Sequence, residues 1–187
     1  MSSTLIILII VIAVAGYAIV TYNGLVRVRQ MVQEAWSGID VQLKRRADLI
    51  PNIVETVKGY AGHEQETLEK VTEMRTRAQS VPAGDIAGRA AAEGMLSQAL
   101  GRLMAVAEAY PDLKANENFR DLQGTLETLE SEIQMARRYY NGSARELNVK
   151  VESFPSNVIA NSFGFVRADY FELEDPSDRE RPEVKFS

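Results

Sequence analysis

The sequence predicts an all-α protein in which an N-terminal transmembrane helix continues into an antiparallel bundle of long helices. Three observations predict it. An unbroken apolar run opens the chain, apolar residues then recur at steps of three and four, and turn-forming residues gather at only a few places.

From Leu5 to Val20 every residue is apolar, Gly or Tyr, and Ser2, Ser3 and Thr4 before the run and Thr21 and Tyr22 after it are uncharged. A helix of roughly 20 residues, rising about 1.5 Å per residue, spans a bilayer core of about 30 Å. Ala13-Val14-Ala15 offers the small-residue pattern of a signal-peptide cleavage site, yet no Lys or Arg precedes the run. An uncleaved anchor over residues 1–22 is expected. Tyr17 and Tyr22 suit the interface end of such a helix, and the first charges, Arg27 and Arg29, follow it. The positive-inside rule then places the N-terminus outside and the rest in the cytoplasm. Two arginines fall short of a polybasic lipid site, and a solvated helix face accounts for them.

Helical spacing continues past the anchor without a turn signal, through Leu25, Val28, Val32, Ala35, Ile39, Leu43, Ile50, Ile53, Val57 and Tyr60. The steps are threes, fours and one seven, so the anchor is expected to run straight into the bundle. The seven-residue step is where Arg46 takes the apolar register. Pro51 removes a backbone donor and crowds the preceding turn, which should kink the helix or split it. Gly59 and Gly62 mark a weaker point, after which Glu64 to Gln79 is rich in helix formers.

Ser80 to Asp85 is turn chemistry, with Asp85 placed to cap a helix from Ile86 to about Ala109. That helix is Ala-rich, as tight packing requires. Tyr110-Pro111-Asp112 ends it, and Asn116 can cap the last long helix, whose seam reads Phe119, Leu122, Leu126, Leu129, Ile133, Ala136, Tyr140, Ser143, Leu147, Val151 and Phe154. Alternating steps of three and four suit coiled-coil-like packing against the helix that follows the anchor. Gly142 within it marks a close contact or a local bend. Phe154-Pro155-Ser156 stops it, Ser156 to Ser162 can form a short helix, and Phe163, Phe165, Tyr170 and Phe171 should pack back onto the bundle.

The organisation expected is therefore an anchor over 1–22, a helical bundle over 23–172 and a charged, flexible tail over 173–187. The tail contains Pro176 and Pro182 and too little apolar surface to order itself. Its end, Pro182-Glu183-Val184-Lys185-Phe186-Ser187, alternates apolar and polar residues as an extended peptide ligand does, which makes Val184 and Phe186 candidate contacts against the plainer reading of a solvated tail.

Composition narrows the function. A net charge of -5 lacks the basic footprint that nucleic-acid binding needs. With no cysteine, disulfides, thiolate nucleophiles and Cys-ligated metals are excluded. A di-iron bundle needs two Glu-x-x-His motifs, but His63 is the one histidine and Tyr60 stands three residues before it. No nucleophile elbow or phosphate-binding glycine loop is present. No catalytic residue, cofactor or metal ligand is expected. The candidate interface residues are Lys44, Arg45 and Arg46, which with Asp48 form a dense charge cluster, and Trp36 beside the seam position Ala35. Arg46 can pair with a carboxylate from a facing helix or line a surface for another subunit; Trp36 can anchor the core or an interface, with the core preferred.

The run YNGLVRVRQMVQEAWSGIDVQLKRRADLIPNIVETVKGYAGHE closely resembles the LemA family of bacterial membrane proteins, as do YPDLKANENF, ARRYYN, FPSN, SFGF and the closing PEVKF. The resemblance implies an anchor with its start outside, a cytoplasmic antiparallel bundle in the bacterial inner membrane, and relatives in magnetosome formation. It also implies genes often neighbouring membrane zinc metalloproteases, with no family-wide enzymatic activity. Leu147-Asn148 departs from the Tyr-Asn common among relatives and puts only a local contact in doubt.

Two functions follow as expectations. The first is a non-enzymatic single-pass membrane scaffold that self-associates as a homo-oligomer or docks membrane partners through its helical faces. The alternative is an adaptor or regulator of a membrane protease or quality-control complex, acting through the C-terminal tail.

Overall fold

Helical spacing with no turn signal between the N-terminal run and Val57 lets one helix carry both, and the computed structural model, which describes residues 3–172, shows that helix as α1, Ser3–Lys58. It is followed by α2, Gln65–Ser80, α3, Ile86–Ala107, the short α4, Pro111–Ala115, α5, Glu117–Glu152, and α6, Ser156–Ser162. No strand occurs among the described residues. The beginning of α1 is long and apolar enough to cross a membrane, and none of that stretch is buried within the chain.

Local chemistry sets the ends. The Asp85 side chain accepts a hydrogen bond from Gly88 N–H at 2.8 Å and closes the first turn of α3. A Cβ on Gly88 would stand 2.2 Å from Asp85 Oδ2, so the capping carboxylate would have to turn if a larger residue stood there. Asn116 Oδ1 likewise accepts from Phe119 N–H at 2.9 Å at the start of α5. Pro51 lies inside α1 and does not split it.

The described residues fall into two compact units. One takes residues 3–39 together with Ala136–Asp169, and the other takes Asp40–Met135 with residues 170–172.

Within the first unit α1 and α5 run antiparallel, as two contacts define. Lys150 Nζ lies 3.9 Å from where a Cβ on Gly24 would be, and the Trp36 and Tyr140 rings are 5.6 Å apart. Leu25, Val28, Val32, Ala35 and Ile39 are buried on one helix, and Tyr140, Ala144, Leu147 and Val151 on the other. The chain beyond α6 is tied back by polar groups. Asn148 donates to the Ala168 carbonyl at 2.9 Å and accepts from Ala168 N–H at 2.8 Å, while the Tyr140 hydroxyl donates to the Asp169 carbonyl at 2.8 Å. Burial, and next the Asp169 carboxylate, raise the Tyr140 phenol above its ordinary value of 10.0.

In the second unit, Ile50, Ile53, Val57 and Ala61 pack with Leu68, Val71 and Met74 of α2, Leu96, Leu100 and Leu103 of α3, and Phe119 and Leu126 of α5. Asn116 donates to the Tyr60 hydroxyl at 2.9 Å, and the Tyr110 hydroxyl donates to Glu64 at 3.1 Å. That bond to a carboxylate, followed by desolvation, raises the Tyr110 phenol.

Four expectations need correction. The seam closes on Ala61, and Tyr60 is exposed because the helix has ended at Lys58. Phe154 is exposed, since α5 stops at Glu152 before its register reaches that residue. Of the late aromatics, Phe165 and Phe171 are buried, whereas Phe163 packs its ring on Tyr22 but leaves its other side exposed. Gly142 marks no close contact: a Cβ there would meet nothing within 4 Å.

Candidate functional site

Arg46 occupies a seam position of α1, and a guanidinium buried there must find charged partners or lose the hydration it had in water. Its two terminal nitrogens find them on two other helices. One donates to Glu93 Oε2 of α3 at 2.5 Å, and the other donates to Glu130 Oε1 of α5 at 2.5 Å and to the Ser97 hydroxyl at 2.9 Å. Arg46 is 1% exposed and Glu93 2%, whereas Glu130 reaches the surface.

The array extends from Glu93. Its second oxygen accepts from Arg89 Nε at 2.8 Å, and Arg89 stands 3.6 Å from Asp40. Two guanidiniums thus alternate with three carboxylates from three helices. Arg46 Nε is buried and makes no hydrogen bond among the described residues. Because each guanidinium fork fits only one placement of the facing carboxylates, the array pins the register of α1, α3 and α5. Each of the three carboxylates touches at least one of the two guanidiniums.

The other candidates divide by exposure. Lys44 and Arg45 are exposed; Arg45 pairs with Glu132 at 2.9 Å and with Gln42 at 2.9 Å. Arg46, unlike them, is held in the interior. Trp36 is half-buried and its ring is tilted on Tyr140, which is itself buried. Val184 and Phe186 lie outside the described residues.

The reading from sequence missed Glu93, Arg89 and Glu130. Glu93 had a signal. It precedes Leu96, Leu100, Leu103 and Ala107 at steps of three and four, so it stands on an apolar register as Arg46 does. Asn148 was also missed as a tether, since nothing local to it tells a buried amide from a solvated one.

An open cleft of about 480 Å³ lies between the end of α1 and α2, lined by Val54, Glu55, Lys58, Gly62, Gln65, Leu68, Glu69 and Thr72. It mixes apolar and charged groups without a converging set of acids or bases. Among the described residues no group of three or more His, Asp or Glu side chains is arranged to hold a metal ion.

The model of the LemA family matches residues 35–186. The chain is 28% identical over 192 residues to magnetosome protein MamQ 2 of Paramagnetospirillum magneticum, covering 90% of this chain and 71% of that protein. It is 27% identical over 181 residues to magnetosome protein MamQ of Magnetospirillum gryphiswaldense, covering 84% and 66%. It is also 28% identical over 165 residues to protein LemA of Metamycoplasma hominis, covering 88% and 74%.

Proposed function

The chain belongs to the LemA family, and from that premise we propose that it is a membrane-anchored scaffold, a protein that works by presenting helical faces to copies of itself or to another membrane protein. The observation that carries this reading is the continuity of α1. One helix passes from an apolar stretch fit to cross a bilayer into residues that build both units, so the faces it presents stay tethered to the membrane. The exposed side of the second unit suits protein contacts. Val41 is 56% exposed on α1, Met135 is 52% exposed on α5, and Lys44 and Arg45 stand one turn beyond Val41. Exposed apolar side chains rimmed by charge are the composition of a contact surface.

On this proposal the membrane is the bacterial inner membrane, crossed once, with the N-terminus outside and the remainder in the cytoplasm. Crosslinking in native membranes tests the proposal. Covalent oligomers or a captured membrane partner are expected, and replacing Val41 and Lys44 by acidic residues should reduce them several-fold. A chain that stays monomeric and captures nothing overturns it.

A second reading, an adaptor for a membrane protease or quality-control complex, is favoured by the reach of the family match to residue 186, which takes in the closing peptide. Deleting residues 182–187 should then abolish a pull-down that the full chain gives. An unchanged set of partners removes it.

A further inference from the structure

In the first unit the apolar surface does not stop where the apolar run of α1 stops. The antiparallel register set by Gly24 against Lys150 and Trp36 against Tyr140 brings Phe154, just past the end of α5, level with Val20 to Tyr22. Phe154 is 82% exposed. After the short α6 the chain returns to the same level, where the Phe163 ring lies 4.8 Å from that of Tyr22 and the Phe165 ring 5.8 Å from it. Phe165 is buried beneath the Arg29 guanidinium, 4.9 Å from its ring centre, but Phe163 is 60% exposed and Val166 is 75% exposed. Val158 of α6 is a further exposed apolar side chain, at 54%.

Exposed apolar groups clustered at one end of a unit call for an occupant. Here the position identifies it. Tyr22 is two residues beyond the last residue of the apolar run, so side chains that touch it stand at the level where that helix leaves the hydrocarbon. Aromatic rings at that depth sit among headgroups with their apolar bodies toward the acyl chains.

We infer that the segment from Phe154 through α6 to Val166 is a second membrane contact, which inserts Phe154, Val158, Phe163 and Val166 into the headgroup layer beside the point where α1 emerges. The occupant is the lipid interface. This rests on the reading that α1 crosses the bilayer, and it goes beyond it: one helix alone leaves the unit free to swing, whereas a helix and an adjacent apolar loop fix the face turned to the membrane.

The chain contains no cysteine, so single labels can be placed in the full-length protein without background. Val158→Cys and Val166→Cys change exposed positions and spare the core, Tyr139→Cys marks an exposed site on α5 level with Trp36, and Val11→Cys marks the middle of the apolar run. Each variant, carrying an environment-sensitive fluorophore, is reconstituted in phosphatidylcholine and phosphatidylglycerol vesicles with nitroxide lipids spin-labelled either high or low on the acyl chain. The labels at 158 and 166 should be quenched by the high nitroxide at least about twofold more than the label at 139, and little by the low one. Quenching at 158 and 166 no greater than at 139 overturns the inference, whether those labels are in water or dry against a second copy of the chain. The label at 11 separates the two readings. If it is quenched by the low nitroxide while 158 and 166 are not, the span stands and the second contact falls; if it is not, the span itself falls.

Discussion

The two units solve the same problem, that of holding α1 and α5 in one register, with different chemistry. In the first, the interior is apolar and aromatic, and the buried polar ties are neutral: Asn148 brackets the backbone of Ala168, and Tyr140 reaches the Asp169 carbonyl, while the Arg167–Glu152 ion pair lies at the surface. In the second, a guanidinium is buried between carboxylates of two other helices. Neutral ties cost little to desolvate and each contributes about 1 kcal/mol net. A buried ion array does not raise stability over an apolar core of the same shape, yet removing one member leaves a charge stranded. The difference teaches that the first unit is fastened by many small terms, while the second depends on completeness.

The largest test of that contrast is Arg46→Ala. It leaves the buried Glu93 with Arg89 as its one remaining cation among the described residues and takes the guanidinium from Glu130, and should destabilise the second unit by about 3–5 kcal/mol, read as a lower denaturation midpoint in detergent and as faster hydrogen exchange in α3. Arg46→Met with Glu93→Met should recover part of the loss, because the fully buried pair is then replaced by apolar volume while Arg89 keeps Asp40 and Glu130 reaches the surface. If the double variant is as unstable as the single one, the array contributes stability of its own and the contrast weakens.

Asn148→Ala breaks two hydrogen bonds at once and leaves the Ala168 N–H and carbonyl without their partner, so a loss of about 2 kcal/mol is expected, with exchange faster around Ala168. Tyr140→Phe should cost about 1 kcal/mol and also changes the pH response. The Tyr140 phenol is raised in the folded state, so its stabilisation is complete below the unfolded value of 10.0 and is lost as pH climbs from there through the folded value. The Phe variant should therefore lose less stability than the parent on alkaline titration above pH 10.0. Equal losses in the two proteins refute the role given to this hydroxyl.

The smallest effect has the opposite sign. Gly142 is exposed, helical and has open space where a Cβ would go, so Gly142→Ala should stabilise α5 by about 0.5–1 kcal/mol. A destabilised variant means that something packs on this face.

Much of the fold was legible because its signals are short in range. The apolar run, the steps of three and four through Leu25, Ile39 and Ile53, and the Asp85 and Asn116 caps each depend on residues within a turn or two of one another. Arg46 was legible as an exception to that spacing. Its partners were not, because Glu130 lies 84 positions away and nothing in the local pattern around either residue names the other.

The amino-acid order alone settles the class of molecule: helices of these lengths, one of them fit to enter a bilayer, with the apolar stripe that each must cover. The assembled fold was needed to say which charges meet in the interior, that Asn148 tethers the chain at Ala168, and that Phe154 and Phe163 stay exposed near the end of the apolar run of α1. The reason is physical. Periodicity and capping are energies of neighbouring residues, whereas burial of a given side chain depends on which distant segment arrives above it.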